Sequence, residues 1–238
     1  MGDIDHIAVS PILDLLPIDH FMRRLHDKTP YTAALNLGTI PVLSQYGLHT
    51  KLLDFQEKNP HIQLNIVEDR GEEILRMLDC ELVELAVLRA NSLPDDCYKS
   101  LTLGTDKLVF VCSSTHPLAA CSEVCLKDFQ QEDFFLLDMG QNFADSVQHA
   151  CARDGFVPHI RQRFIRMETI LGYVAAGAGV SLLMEKELTA FNLRNVAVKK
   201  LSPTISDTIA LVFPHGRHLS PAAATLRNFL GNFTGKRI

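Results

Sequence analysis

Between Leu35 and Leu88 the chain switches four times between two hydrophobic periods, and that switching restricts its fold more than anything else in it. Leu35–Ile40 is a short strand-like run stopped by Pro41. Leu48, Leu52 and Phe55 then recur at i, i+4 and i+7, a helical face that stops before Asn59-Pro60. Ile62-Gln63-Leu64-Asn65-Ile66 alternates strictly, as a strand with one polar face does. Gly71-Glu72-Glu73 opens a second helix, with acids where the macrodipole favours them and Ile74, Leu75 and Leu78 along its buried stripe. Leu82–Leu88 reads as a third strand. Strand, helix, strand, helix, strand at this spacing is a pair of βαβ crossovers, hence parallel strands with helices covering the sheet.

The pattern continues. A strand is expected at Leu108–Cys112, then a turn at His116-Pro117, a strand at Phe134–Leu137 and a helix from about Asn142 to Arg153. Met167–Ala178 is a helix with Ile170, Leu171 and Val174 inward, followed by a short strand at Val180–Leu183. A last strand, Thr208–Phe213, precedes a helix at Pro221–Phe233 that buries Leu226, Phe229, Leu230 and Phe233. The fold class is α/β with two lobes. Residues 1–34 differ, with Pro11, Pro17 and Pro30 around one amphipathic run of Ile18, Phe21, Met22 and Leu25. Packing of that run on the body or on a partner chain stays open.

Hydrophobic residues are 47% of the 238, enough apolar surface to offset the entropy of ordering, so a disordered chain is excluded. The net charge of −5 gives no overall basic field for phosphates, although a local basic face is compatible with it. The six cysteines show neither C-x-x-C nor a Cys/His zinc spacing, and read as reduced thiols. MGDIDHIAVSPILDLLP carries acids where an export signal needs basic residues. No uninterrupted apolar stretch approaches the ~20 residues of a membrane helix. The expected location is the cytoplasm, without membrane contact.

Six passages then stand in a recognisable order. They are LNLGTIPVL; LLDFQEKNPHIQLNIVEDRGEEILRML; ELVELAVLR; LVFVCSSTHPLA with LKDFQQEDFFLL; GYVAAGAGVSLL; and LSPAAATLRNFLGNF. Over residues 35–233 the chain resembles the effector-binding (regulatory) domain of LysR-type transcriptional regulators. The resemblance implies a type 2 periplasmic-binding-protein-like fold, two α/β lobes joined by two crossing strands around a small-molecule cleft. It puts the crossings near Val111–Ser113 and Ile205–Asp207, with lobe I at 35–112 plus 206–238 and lobe II at 113–205. Family members also carry an N-terminal winged helix-turn-helix. Residues 1–34 hold no recognisable one, so DNA contact is expected only through a helix-turn-helix absent from this chain. A homodimer or tetramer is implied, and no cofactor or metal.

The implied cleft is built from helix starts, whose unpaired N–H groups suit anionic ligands. Three starts qualify: Thr39–Ser44, Arg70–Glu72 and Gly140–Phe143. Relatives commonly place a hydroxyl at the positions matching Val42 and Gly71; both hydroxyls are missing here, leaving Thr39 and Ser44 as substitutes. Arg89 matches a cleft-facing position, where its fork would clamp a carboxylate; a solvated strand-end arginine is the plainer reading. Arg166 and Glu168 precede a helix on the other side. The expected effector-binding set is Thr39, Ile40, Val42, Leu43, Ser44, Gly71, Arg89, Gln141, Asn142, Phe143, Met167 and Glu168. Ile40, Val42 and Leu43 at the mouth point to a ligand with apolar surface. His215 and His218 lack the spacing and carboxylate company of a catalytic zinc pair, and Ser146–His149 lacks a nucleophile elbow. No enzyme is expected. The alternatives kept are a solute-binding protein and an enzyme on the same two-lobed fold.

Overall fold

The computed structural model describes residues 33–93, 97–138 and 141–234. The amphipathic run at Ile18–Leu25 and the turn at Gly140 lie outside them.

β1 (Ala33–Thr39) is the central strand of the first parallel set. It pairs in parallel with β2 (Ile62–Glu68) on one side and β3 (Leu85–Arg89) on the other. The crossover helices α1 (Leu48–Lys58) and α2 (Gly71–Asp79) face the core with their expected stripes: Leu48, Leu52 and Phe55 are buried on one and Ile74 and Leu78 on the other, while Leu75 is only partly buried. Gly38 is what lets α2 approach β1: a Cβ there would meet Ile74 Cγ2 at 2.8 Å and Val83 Cγ2 at 3.2 Å.

A strand of sixteen residues, β4 (Tyr98–Ser113), contributes to both hydrophobic cores of the described residues. Its residues 98–107 pair antiparallel with β10 (Ser206–Pro214), which itself lies against β3. Its residues 108–113 pair instead with β8 (Ser181–Met184) and β9 (Val196–Leu201). β5 (Glu123–Val124) adds in parallel to β9. The partner of β4 therefore changes between Lys107 and Leu108, earlier than the expected Val111–Ser113. The apolar run Leu108–Cys112 marked only the buried half of the strand; the other half sets Tyr98, Leu101 and Leu103, partly buried on the first core, among exposed Lys99, Thr102 and Thr105. β6 (Asp133–Leu137) and β7 (His159–Phe164) form a second parallel pair, joined by α3 (Gln141–Arg153). α4 (Met167–Ala175), the single turn α5 (Glu185–Leu188) and α6 (Pro221–Thr234) complete the described α-helices.

Two hydrophobic cores result. One gathers Leu35–Leu88, Ile209–Val212 and Ala222–Leu230; the other runs from Leu108 to Leu201 and includes the stacked rings of Phe110 and Phe129, 4.2 Å apart. Leu108–Cys112 thus sit in the second core, not in the first lobe as expected. The expected burial of Phe233 concerns a side chain outside the described set. α4 ends at Ala175 rather than Ala178. Gly177, at φ +73°, donates to Val174 O while Ala178 N reaches back to Tyr173 O, the Schellman closure of a helix. Gly179 then lets β8 begin against β6, since a Cβ would fall 2.4 Å from Asp133 O.

Candidate functional site

Parallel pairing fixes where the strands of the first core end. Thr39 lies opposite both Glu68 and Val87, so β1, β2 and β3 finish together, and the segments leaving them gather at one sheet edge. In open parallel sheets that edge is where ligands bind. α2 starts there behind Arg70 and α4 starts behind Arg166, and neither has a side-chain cap on its first N–H groups. Both keep donors and a positive dipole end for an anion. α1 does not. The Leu43 carbonyl accepts from both Leu48 N, at 2.8 Å, and His49 N, at 3.3 Å, and so occupies its first donors.

The expected residues divide. Thr39 is fully buried and its hydroxyl donates to Ile40 O at 2.7 Å, so it is spent on the backbone. Ile40 and Val42 belong to the first core and Met167 to the second; they support the walls instead of forming the mouth. Leu43 packs partly on the first core. Ser44 is exposed, Gly71 is buried at the head of α2, and Glu168 is exposed in the first turn of α4. Gln141, Asn142 and Phe143 open α3 as expected, but their side chains lie outside the described set.

Arg89 departs most from expectation. It is nine-tenths buried and does hold carboxylates, but they are the chain's own: Glu187 on α5, and Asp207 on β10 at 3.3 Å. Tyr46, from the turn before α1, donates its hydroxyl to Asp106 Oδ2 at 2.6 Å. Asp106 also accepts the main-chain N–H groups of Lys107 and Lys186, at 2.7 and 3.1 Å. Asp106 and Asp207 are register partners across β4 and β10. Like charges placed directly opposite repel, and here each acid is given separate donors.

Two buried carboxylates, Glu187 and Asp207, thus meet one guanidinium, and the charge of a third, Asp106, is felt by Glu187. Burial raises Glu187 above the usual carboxylate range; Arg89 opposes the shift, and Asp106 and Asp207 add to it. Burial works against the Arg89 charge, but Glu187, Tyr46 and Asp207 outweigh it and hold the guanidinium charged. Burial, with the hydrogen bond to Asp106, pushes the Tyr46 phenol well up, so it stays a donor. The cluster joins elements of both cores and is an ion-paired clasp between the lobes. Sequence reading missed Tyr46, Asp106, Glu187 and Asp207. The available signal was an acid just before each of two apolar runs, Leu108–Cys112 and Thr208–Phe213.

Among the described residues, no group of three or more His, Cys, Asp or Glu is placed to hold a metal ion. No described helix is long and apolar enough to cross a membrane. The buried thiols Cys112 and Cys151 are each pushed up to about 11, mainly by burial, and are poor nucleophiles.

Comparison with known proteins gives a consistent result. A family model described as the LysR substrate binding domain matches residues 29–234. The transcriptional dual regulator GltC of Bacillus subtilis is 24% identical over 208 residues, 87% of this chain and 69% of the regulator. The uncharacterized HTH-type regulator YvbU of the same organism is matched over 63% of its length, so the chain spans about two thirds of these relatives. The regulatory domain of Synechocystis CcmR in complex with 2-PG superposes with a TM-score of 0.75 at 21% identity, covering 85% of this chain and 98% of that one. The effector binding domain of QuiR in complex with shikimate gives 0.73 at 20% identity, covering 84% and 96%.

Proposed function

The chain belongs to the LysR substrate binding domain family, and from that premise we propose that it senses a small-molecule effector in the cleft between its lobes. The match over residues 29–234 carries this reading, and the two separate cores joined by crossing strands supply the architecture it needs. We assign lobe I to 33–107 plus 206–234 and lobe II to 108–205. The effector contacts we propose are Ser44, the N–H groups at Gly71, the start of α3 at Gln141–Phe143 and Glu168. Uncapped helix starts at α2 and α4 favour an organic acid. Of the similar structures, the QuiR domain holds shikimate, an organic acid, and the CcmR domain holds 2-PG.

In this reading the domain is cytoplasmic, non-enzymatic and paired as a homodimer or tetramer. DNA is read by a helix-turn-helix part such as the HTH-type relatives carry. Effector binding shifts lobe closure or dimer geometry in proportion to its differential affinity for the two states.

Thermal unfolding against a library of organic acids tests the proposal. A true effector raises the melting temperature by mass action, saturably with concentration. If no acid at millimolar concentration does so, the sensing role is rejected. Sedimentation of the same samples reads the pairing, and a strict monomer at high concentration overturns that part.

A further inference from the structure

The single turn α5 is rooted in lobe II and gripped by lobe I. Leu188 anchors it in the second core, and the Thr189 hydroxyl donates to Lys186 O at 2.6 Å and closes it. Met184 stands at its N-cap without a side-chain bond to the turn. The missing acceptor comes from β4, where the two Asp106 oxygens take the Lys186 N–H at 3.1 and 3.3 Å. The next residue, Glu187, is buried against Arg89 at the end of β3. Lys186 Nζ lies over the Tyr46 ring, 5.5 Å from its centroid. Two consecutive residues of one turn thus reach three separate segments of lobe I.

The strands that cross between the lobes do not fix the angle by themselves. β4 and β10 keep register up to the pair Ile209 and Gly104, and the next pair is Ala210 and Thr102, so Leu103 is bypassed. A bulge of this kind disrupts the ladder locally and bends its strand. It lies three residues from Asp106. A bond between the lobes set away from the two strands, as Arg89 to Glu187 is, resists that bend. We propose that α5 is a latch: held by Asp106, Arg89 and Tyr46 it fixes one angle between the lobes, and its release as a unit lets that angle change.

The bonding suits release. Desolvation offsets much of what a buried ion pair contributes, so letting both partners out into water together costs far less than stranding one of them. The apolar cores on either side keep their packing while the turn undocks, which makes the change a rigid-body one. The use of the latch in sensing rests on the function proposed above. An effector that prefers one lobe angle then binds with an affinity scaled by the fraction of chains whose latch permits that angle.

NMR of the whole chain, with no effector added, tests the latch by two readings. Residual dipolar couplings report lobe orientation: in wild type those of 33–107 with 206–234 and those of 108–205 should fit one alignment tensor. In Glu187→Ala they should need two, with smaller couplings in one lobe. Amide exchange is the second reading. The Lys186 N–H keeps its Asp106 acceptor in Glu187→Ala, yet should exchange about tenfold faster, because the whole turn undocks once Arg89 loses it. The Phe135 N–H, bonded to Val180 O, and the Ile40 N–H, bonded to Val87 O, should keep their wild-type rates. Tyr46→Phe deletes one hydroxyl and no charge; it should show the same pattern more weakly, and it serves if Glu187→Ala does not fold. The latch is overturned if wild type already needs two tensors, or if the folded variants keep one. It is also overturned if Phe135 and Ile40 speed up as much as Lys186, which would report a general loss of stability. Neither reading involves an effector, so the latch and the sensing role stand or fall separately.

Discussion

Arg89 lies at the last position of β3, opposite Ile209 of β10, where a strand end would ordinarily reach solvent. It is instead enclosed, and its charge is tolerable only because Glu187 and Asp207 meet it there. Breaking a buried pair from one side leaves unpaired charge in the interior, which costs more than the pair contributed. Arg89→Met is therefore expected to destabilise the chain by about 3–5 kcal/mol, read by urea unfolding. Adding Glu187→Met to that variant should recover part of the loss. Additive losses would mean that the two side chains do not act together. Sequence reading found Arg89 and its affinity for carboxylates. It could not find the partners, because Glu187 and Asp207 are 98 and 118 residues away and the pairing exists only once both lobes are formed.

At the scale of elements, the parallel strands and their crossover helices were legible because burial on one face imposes a period. The Leu48–Phe55 stripe formed as read, and so did the Ile62 strand, although its Ile66 is exposed where the alternation would bury it. What stayed hidden showed too short or too weak a period. The first half of β4 has only the isolated, partly buried Tyr98, Leu101 and Leu103 among polar residues, and β9 (VAVKKL) is only half buried. The expected site residues divided for a related reason: an apolar residue after a parallel strand serves core and cleft equally well in sequence, and Ile40 and Val42 went to the core. α4 offers a direct test of the local rules. Gly172 lies mid-helix with open space around it, so Gly172→Ala is expected to stabilise by roughly 0.5–1 kcal/mol. Gly177 closes the same helix at φ +73°, so Gly177→Ala is expected to cost about 1 kcal/mol. Thermal unfolding of the two variants should move in opposite directions; a shift of the same sign in both contradicts the cap assignment.

For the whole molecule, the clasp makes inter-lobe stability a function of pH. Glu187 titrates above its unfolded value of 4.5, chiefly from burial. Its protonated form is therefore favoured by folding. That contribution is fully present below 4.5 and is lost as pH rises through the raised folded value. Urea unfolding from acid to neutral pH should show wild-type stability falling in this window relative to Glu187→Gln, which has no proton to lose. Curves that stay parallel would refute the assignment of that slope to Glu187.

The two cores also differ in how the chain visits them. The second is written in one continuous stretch, Leu108 to Leu201, whereas the first needs Ile209–Val212 and Ala222–Leu230 to close. β10 is the strand that fills the gap between β3 and β4. On a ribosome, which delivers the chain from its N-terminus, the lobe begun first is thus completed last. Until β10 arrives, the inner edges of β3 and β4 stand unpaired, an exposure that chains during synthesis meet with chaperones. A truncation before Ser206 would leave that interval permanent.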